Sequence, residues 1–228
     1  MKQEMTEEEI KEIAAQLRKP EGEKGKEIAQ LMNEGNQAMN LHSLAVLNPQ
    51  ANESILEIGM GNGHFVKNIV NLDKEISYMG CDYSKHMVEE AKKVNEKLMK
   101  HKSVDFVEAN ISCLPFEDET FDKVLTINTF YFWEDHISVL KELKRVLKKE
   151  GSLVLAVRPK HNLKEFPVTQ YNFSLVENEE ILELLKACGF NRIALTEINE
   201  PPQEHYAGHK ERASLIFSCQ ELEPETKT

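Results

Sequence analysis

The stretch Ile55-Leu56-Glu57-Ile58-Gly59-Met60-Gly61-Asn62-Gly63-His64-Phe65 decides how the chain is read. Ser54 to Ile58 is an apolar run of strand length, and Phe65-Val66-Lys67-Asn68-Ile69-Val70 after the glycines reads as the start of a helix. Glycine at every second position suits a backbone that turns sharply and approaches a ligand closely, because a Cβ would obstruct both. The helix N-terminus that follows offers unpaired N–H groups and partial positive charge. A strand, a glycine turn and a helix in this order form a nucleotide-type binding turn.

The spacing narrows the ligand. A dinucleotide fingerprint has the form G-x-G-x-x-G, and after Gly59 and Gly61 its third glycine would fall on His64. The chain instead has Glu57-x-Gly59-x-Gly61-x-Gly63, with an acid on the strand and tighter glycines. This resembles motif I of the class I S-adenosylmethionine-dependent methyltransferases, in which an acid stands two residues before the first glycine. Such a ligand has no pyrophosphate, and its methionine end carries an amino group that an acid can help to hold.

Reading outward, Glu75 to Asp82 is a second strand, ending in an acid nineteen residues beyond Gly63. At that separation Asp82 lies at the carboxyl end of the neighbouring strand, where it can accept both ribose hydroxyls. Dehydrogenases share this device, so Asp82 points to a ribose without choosing the cofactor. Ser84 can cap the helix Lys85 to Lys100, whose Met87, Val88, Ala91, Val94 and Leu98 share one face. A third strand, Val104 to Ala109, leads into Asn110-Ile111-Ser112-Cys113-Leu114-Pro115-Phe116 and then Phe121-Asp122-Lys123-Val124. Leu-Pro-Phe followed by Phe-Asp-x-Val is similar to a small-molecule branch of the same family, the methyltransferase domain 11-like type. Asn110 stands where that branch has an Asp that meets the adenine amino group; an Asn carbonyl can still accept, without charge assistance.

Phe121 to Asn128 is a fourth strand, and Thr129-Phe130-Tyr131-Phe132-Trp133 at its end can wall an acceptor slot or simply pack on the next helix. Asp135 caps a helix reaching Lys149, with Ile137, Leu140, Val146 and Leu147 as its apolar stripe and Gly151 as its stop. Ser152 to Val157 is a fifth strand, Asn178 to Cys188 a helix, and Arg192 to Ile198 and Ala213 to Cys219 two strands too close for a crossover helix. The fold class is therefore α/β: a Rossmann-like doubly wound sheet, mostly parallel with an antiparallel last strand, plus N-terminal helices.

Those helices are announced by the capping box Thr6-Glu7-Glu8-Glu9, with further helical stretches from Gly25 to Met32 and Gln37 to Leu47. They read either as packing on the sheet or as a lid over the substrate. The chain divides into an N-terminal helical extension (1–50), a methyltransferase domain (51–220) and a tail (221–228) that reads as disordered. A formal net charge of −11 over 228 residues argues against a nucleic-acid backbone as the main partner. Met1 to Ile10 is acidic rather than a signal peptide, and Cys81, Cys113, Cys188 and Cys219 are scattered, without metal-ligand spacing. Both facts point to a reducing cytoplasm.

The resemblance implies methyl transfer from S-adenosylmethionine to a small-molecule acceptor, with the cofactor held by Glu57, Gly59, Gly61, Gly63, Asp82, Tyr83, Asn110, Ile111 and Asn128. No motif marks a catalytic residue. His42, Tyr131, His161, His205, Tyr206 and His209 are the groups that could serve as a general base, should the acceptor need one. Two other classes stay open: a nicotinamide oxidoreductase, disfavoured by His64, and a non-catalytic S-adenosylmethionine-binding regulator or partner.

Overall fold

The computed structural model describes residues 5–73, 75–200 and 212–221. Three helices lead the chain: α1 (Glu7–Arg18), α2 (Gly22–Gly35) and α3 (Gln37–Leu47). The capping box forms as expected, with the Glu9 amide donating to Thr6 Oγ1 and the Thr6 amide to Glu9 Oε2. Then follow β1 (Ser54–Ile58), α4 (Val66–Val70), β2 (Ser77–Asp82), α5 (Lys85–Val94), α6 (Glu96–His101), β3 (Val104–Glu108) and β4 (Phe121–Ile127). The second half holds α7 (His136–Val146), β5 (Leu147–Val157), α8 (Lys160–Leu163), α9 (Asn178–Ala187), β6 (Arg192–Glu200) and β7 (Arg212–Gln220).

The strands form one seven-stranded sheet in the order β3-β2-β1-β4-β5-β7-β6. The first five in that order pair in parallel, while β7 runs antiparallel to both β5 and β6. The order reverses between β1 and β4, and the carboxyl ends of those strands form the crevice where open α/β sheets receive ligands. Successive residues feed opposite faces, as a period of two requires. Leu56, Val124 and Leu153 join the layer under α7 and α9, whereas Ile55, Leu125 and Val154 join the other. Met39 and Leu47 of α3 are buried in that second layer beside Ile55 and Ile216, so α3 is one of the helices covering the sheet.

Three expectations give way to local chemistry. The helix expected over 85–100 breaks at Asn95, whose buried carboxamide donates to the carbonyls of Ala91 and Gly63, both at 3.0 Å; Val94 is consequently exposed. The helix expected to reach Lys149 ends at Val146, because Leu147 already pairs with Phe121 at the start of β5. Glu150 there adopts φ +64°, so Gly151 marks an irregularity in the strand rather than a helix stop. Ile137, placed on the apolar stripe, is exposed, and Val139 and Leu143 complete the buried face.

Candidate active site

The glycine turn after β1 sets the site. Gly59, Gly61 and Gly63 have φ of +72°, +57° and +68°, the left-handed region that side chains other than glycine rarely adopt. They serve different ends. A Cβ on Gly59 would run into Thr129 Cγ2, and one on Gly63 would lie 2.6 Å from Asn95 Nδ2, against α5. Gly61 alone has open space, facing the cavity. Gly63 is not among the cavity-lining residues: the space it saves lets α5 approach the turn.

Two carboxyl groups flank the turn. Asp82, at the end of β2, accepts the Gly61 amide at 3.0 Å and the Ser84 amide at 2.8 Å, so both oxygens are oriented by backbone. Burial pushes its pKa up to about 6, against the lowering effect of those amides. Glu57 on β1 is buried and accepts the Tyr78 hydroxyl at 2.6 Å; desolvation pushes it up to about 7. Water is too scarce around these groups to stabilise their negative charge, and a cationic ligand would supply what is missing.

The cavity is walled on the sheet side by Glu57, Gly59, Gly61, Asp82, Tyr83, Asn110, Ile111 and Asn128, which the sequence had singled out. Asn110 Oδ1 accepts the Ser112 amide at 2.9 Å and retains a lone pair. Asn128, with φ +57°, donates from Nδ2 to Asn36 Oδ1 at 3.0 Å and accepts the Tyr131 hydroxyl at 3.1 Å. Phe132 and Trp133 line it too, and Trp133 Nε1 donates to Thr129 Oγ1 at 3.2 Å, fixing the indole beside the Gly59 turn.

The opposite wall comes from the N-terminal helices, through Leu17, Arg18, Met32, Asn33, Asn36 and Asn40. Arg18 meets Glu134 at 2.8 Å, and the Pro20 carbonyl accepts the Ser84 hydroxyl at 2.5 Å. Beneath Asn36 lies a buried cluster. Arg158 donates to both Glu200 oxygens, at 2.9 and 3.2 Å, to the Gly35 carbonyl at 3.1 Å and to Asn36 Oδ1 at 3.4 Å. These residues were missed in the sequence. Only the spacing of Asn33, Asn36 and Asn40 was legible locally; nothing in the sequence near Arg158 or Glu200 pointed to them.

The base candidates fare differently. Tyr131 is buried, and its hydroxyl accepts the Arg158 amide and donates to Asn128, which is structural work. His42, with a buried and unpartnered Nδ1, and His161 on α8 do not line the cavity. His205, Tyr206 and His209 lie outside the described residues, as does the tail beyond Glu221; Glu221 itself pairs with Lys144 at 2.8 Å. Cys113 is exposed, the other cysteines are buried, and the described residues contain no cluster that could hold a metal.

A doubly wound sheet with an antiparallel β7, a glycine turn at its switch point and an acid at the end of β2 defines the class I S-adenosylmethionine-binding architecture. Residues 56–155 match the model of the methyltransferase domain family, and the chain is an S-adenosylmethionine-dependent methyltransferase. It is 25% identical over 173 residues to the uncharacterized methyltransferase YdaC of Bacillus subtilis, covering 76% of this chain and 91% of that one. It is 30% identical over 123 residues to the demethylmenaquinone methyltransferase of Thermotoga maritima, covering 54% of this chain and about half (51%) of that protein. Among solved structures it superposes on the complex between the Haloferax volcanii Trm112 methyltransferase activator and its putative methyltransferase. There the TM-score is 0.74 at 19% identity, over 92% of this chain and 97% of that one. The donor, S-adenosylmethionine, fits the residues present: Gly61 leaves room where a side chain would intrude, and the buried carboxyl groups of Asp82 and Glu57 have no cationic partner among the described residues.

Proposed function

We propose that the protein transfers a methyl group from S-adenosylmethionine to a small-molecule acceptor by in-line displacement. The observation that carries this reading is one cavity lined by the glycine turn, by Glu57 and Asp82, and also by residues of α1 to α3. When bound, S-adenosylmethionine supplies a methyl carbon activated by positive sulfur. The chain's own task is to hold and align. Asp82 would accept the ribose hydroxyls with oxygens already oriented by the Gly61 and Ser84 amides. Glu57 would hold the methionine amino group and Asn110 the adenine, with Tyr83, Ile111 and Asn128 as the other cavity-lining residues available to the donor.

Alignment of two bound reactants can lower the barrier by roughly 7–11 kcal/mol without acid–base chemistry. That suits a cavity whose described lining contains no histidine. The N-terminal helices act as a lid that keeps water from the reacting centre. A small acceptor agrees with the formal charge of −11 and with a relative named for demethylmenaquinone. The test is calorimetry with S-adenosylmethionine, S-adenosylhomocysteine, NAD and NADP, followed by a product screen with labelled S-adenosylmethionine. The first two compounds bind and a methylated small molecule appears; tight nicotinamide binding without sulfonium binding overturns the reading.

A further inference from the structure

We infer that Asn36 is a specificity-determining residue of the acceptor subsite. Its side-chain Nδ2 is presented as a hydrogen-bond donor to an uncharged ring compound carrying a carbonyl or phenolic oxygen. The inference rests on the methyltransferase reading of the cavity and names the acceptor class that reading leaves open.

The argument begins with Arg158. A guanidinium can only donate, and Arg158 is buried with its charge matched by the two oxygens of Glu200. Its Nη2 also donates to the Gly35 carbonyl and to Asn36 Oδ1. Asn36 must therefore turn its oxygen toward Arg158, where Asn128 Nδ2 donates to the same atom. With Oδ1 committed twice, the amide cannot flip, and Nδ2 points the other way. Among the described residues Nδ2 has no partner and is not a fully buried orphan, and Asn36 lines the cavity. Asn36 also stands at the N-cap of α3, where asparagine ordinarily caps through its side chain, yet it makes no capping bond. Both chemical ends of this carboxamide are thus assigned: one to the buried ion pair, the other to whatever enters the cavity.

The surroundings choose the class. The described residues lining the cavity carry the carboxylates of Glu57, Asp82 and Glu134 against one cation, Arg18, which is already paired with Glu134. Among the described residues a phosphorylated or carboxylated acceptor finds no free positive charge. Phe132 and Trp133 make part of the lining aromatic, which suits a planar apolar molecule. A neutral ring with an oxygen for Asn36 Nδ2 satisfies both.

The chain has a single tryptophan, Trp133, so the indole N–H gives one nitrogen–proton correlation peak, reporting from inside the cavity. Protein saturated with S-adenosylhomocysteine is titrated with acetophenone, a neutral ring whose oxygen only accepts. The peak moves saturably in the native protein. In Asn36→Asp, which keeps an oxygen toward Arg158 but replaces the donor by an acceptor, acetophenone binds about five- to tenfold more weakly. Affinity for S-adenosylhomocysteine stays within threefold. If N36D does not fold, Asn36→Ala takes its place with the same expected loss. Equal acetophenone affinity in native and variant proteins, or no saturable shift in the native one, overturns the inference. A protein that fails to bind S-adenosylhomocysteine in the preceding step instead overturns the methyltransferase site itself.

Discussion

On the sheet side of the cavity, Gly59, Gly61 and Asp82 are held by main-chain geometry: a left-handed turn, a close approach and two amides on one carboxylate. On the helix side, Asn36 is held by side chains, through a buried Arg158–Glu200 pair joining α2 to the ends of β5 and β6. A backbone cradle tolerates different neighbours and suits a ligand shared by a whole family. A side-chain network depends on the identity of each of its residues and suits the part of the reaction that varies. The sheet side should therefore govern donor affinity, and the helix side the fold of the roof and the acceptor.

The comparison breaks most visibly at the buried pair. Arg158→Ala leaves Glu200 buried and unmatched, so it should cost about 3–5 kcal/mol of stability, read by urea unfolding. A loss under about 1 kcal/mol would mean that the roof is held without this pair. The next largest effect belongs to the sheet side. Asp82→Ala should weaken S-adenosylhomocysteine binding by about 1.5–3 kcal/mol, the usual worth of hydrogen bonds to a charged group, with the fold retained. Unchanged affinity in a folded variant would remove Asp82 from the donor site.

These two regions were unequally legible. The glycine turn, Asp82 and the Ser84 cap could be read because each lies within a short sequence window obeying local rules. The same rules gave the mostly parallel sheet and its antiparallel end. Arg158 and Glu200 are 42 positions apart, and Asn128 and Asn36 are 92; no periodicity links residues that only the tertiary fold brings together. Gly63 shows a subtler limit. The pattern marks it as one of three ligand glycines, yet the space it saves belongs to α5, and only the packing of Ala91 and Asn95 reveals this. Base candidates chosen by residue type carried no positional information: His42 and His161 are not among the cavity-lining residues, and His205, Tyr206 and His209 lie outside the described ones.

Glu57 sharpens the comparison through pH. Its pKa in the folded chain is raised to about 7 by desolvation, above the ordinary 4.5. Between these values the folded state binds the extra proton, so the contribution is fully present below pH 4.5 and is lost as pH rises through 7. Glu57→Gln mimics the protonated group and keeps an oxygen for Tyr78. It should match the native protein in stability near pH 4.5 and exceed it by about 1–2 kcal/mol at pH 8. The same change should weaken binding of the cationic donor. A variant less stable at pH 8 would show that ionised Glu57 is compensated within the free protein.

The smallest effect is expected where the two walls touch the solvent. Arg18 of α1 and Glu134 beyond β4 meet at 2.8 Å across the cavity, but their side chains are 37% and 86% exposed. In water such a pair is worth about 0.2–1 kcal/mol and weakens with salt. Arg18→Ala should leave the unfolding midpoint nearly unchanged, because Met39 and Leu47 of α3 anchor the helical segment in the core without it. If the pair helps hold the roof shut, the loss appears in release: S-adenosylhomocysteine should dissociate up to about fivefold faster, the kinetic equivalent of that energy. Added salt should bring the native off-rate toward that of the variant and scarcely change the variant itself. Stopped-flow dissociation at low and high ionic strength separates the cases. Identical off-rates at low salt would make the pair a surface contact, with the roof held entirely by Arg158 and α3.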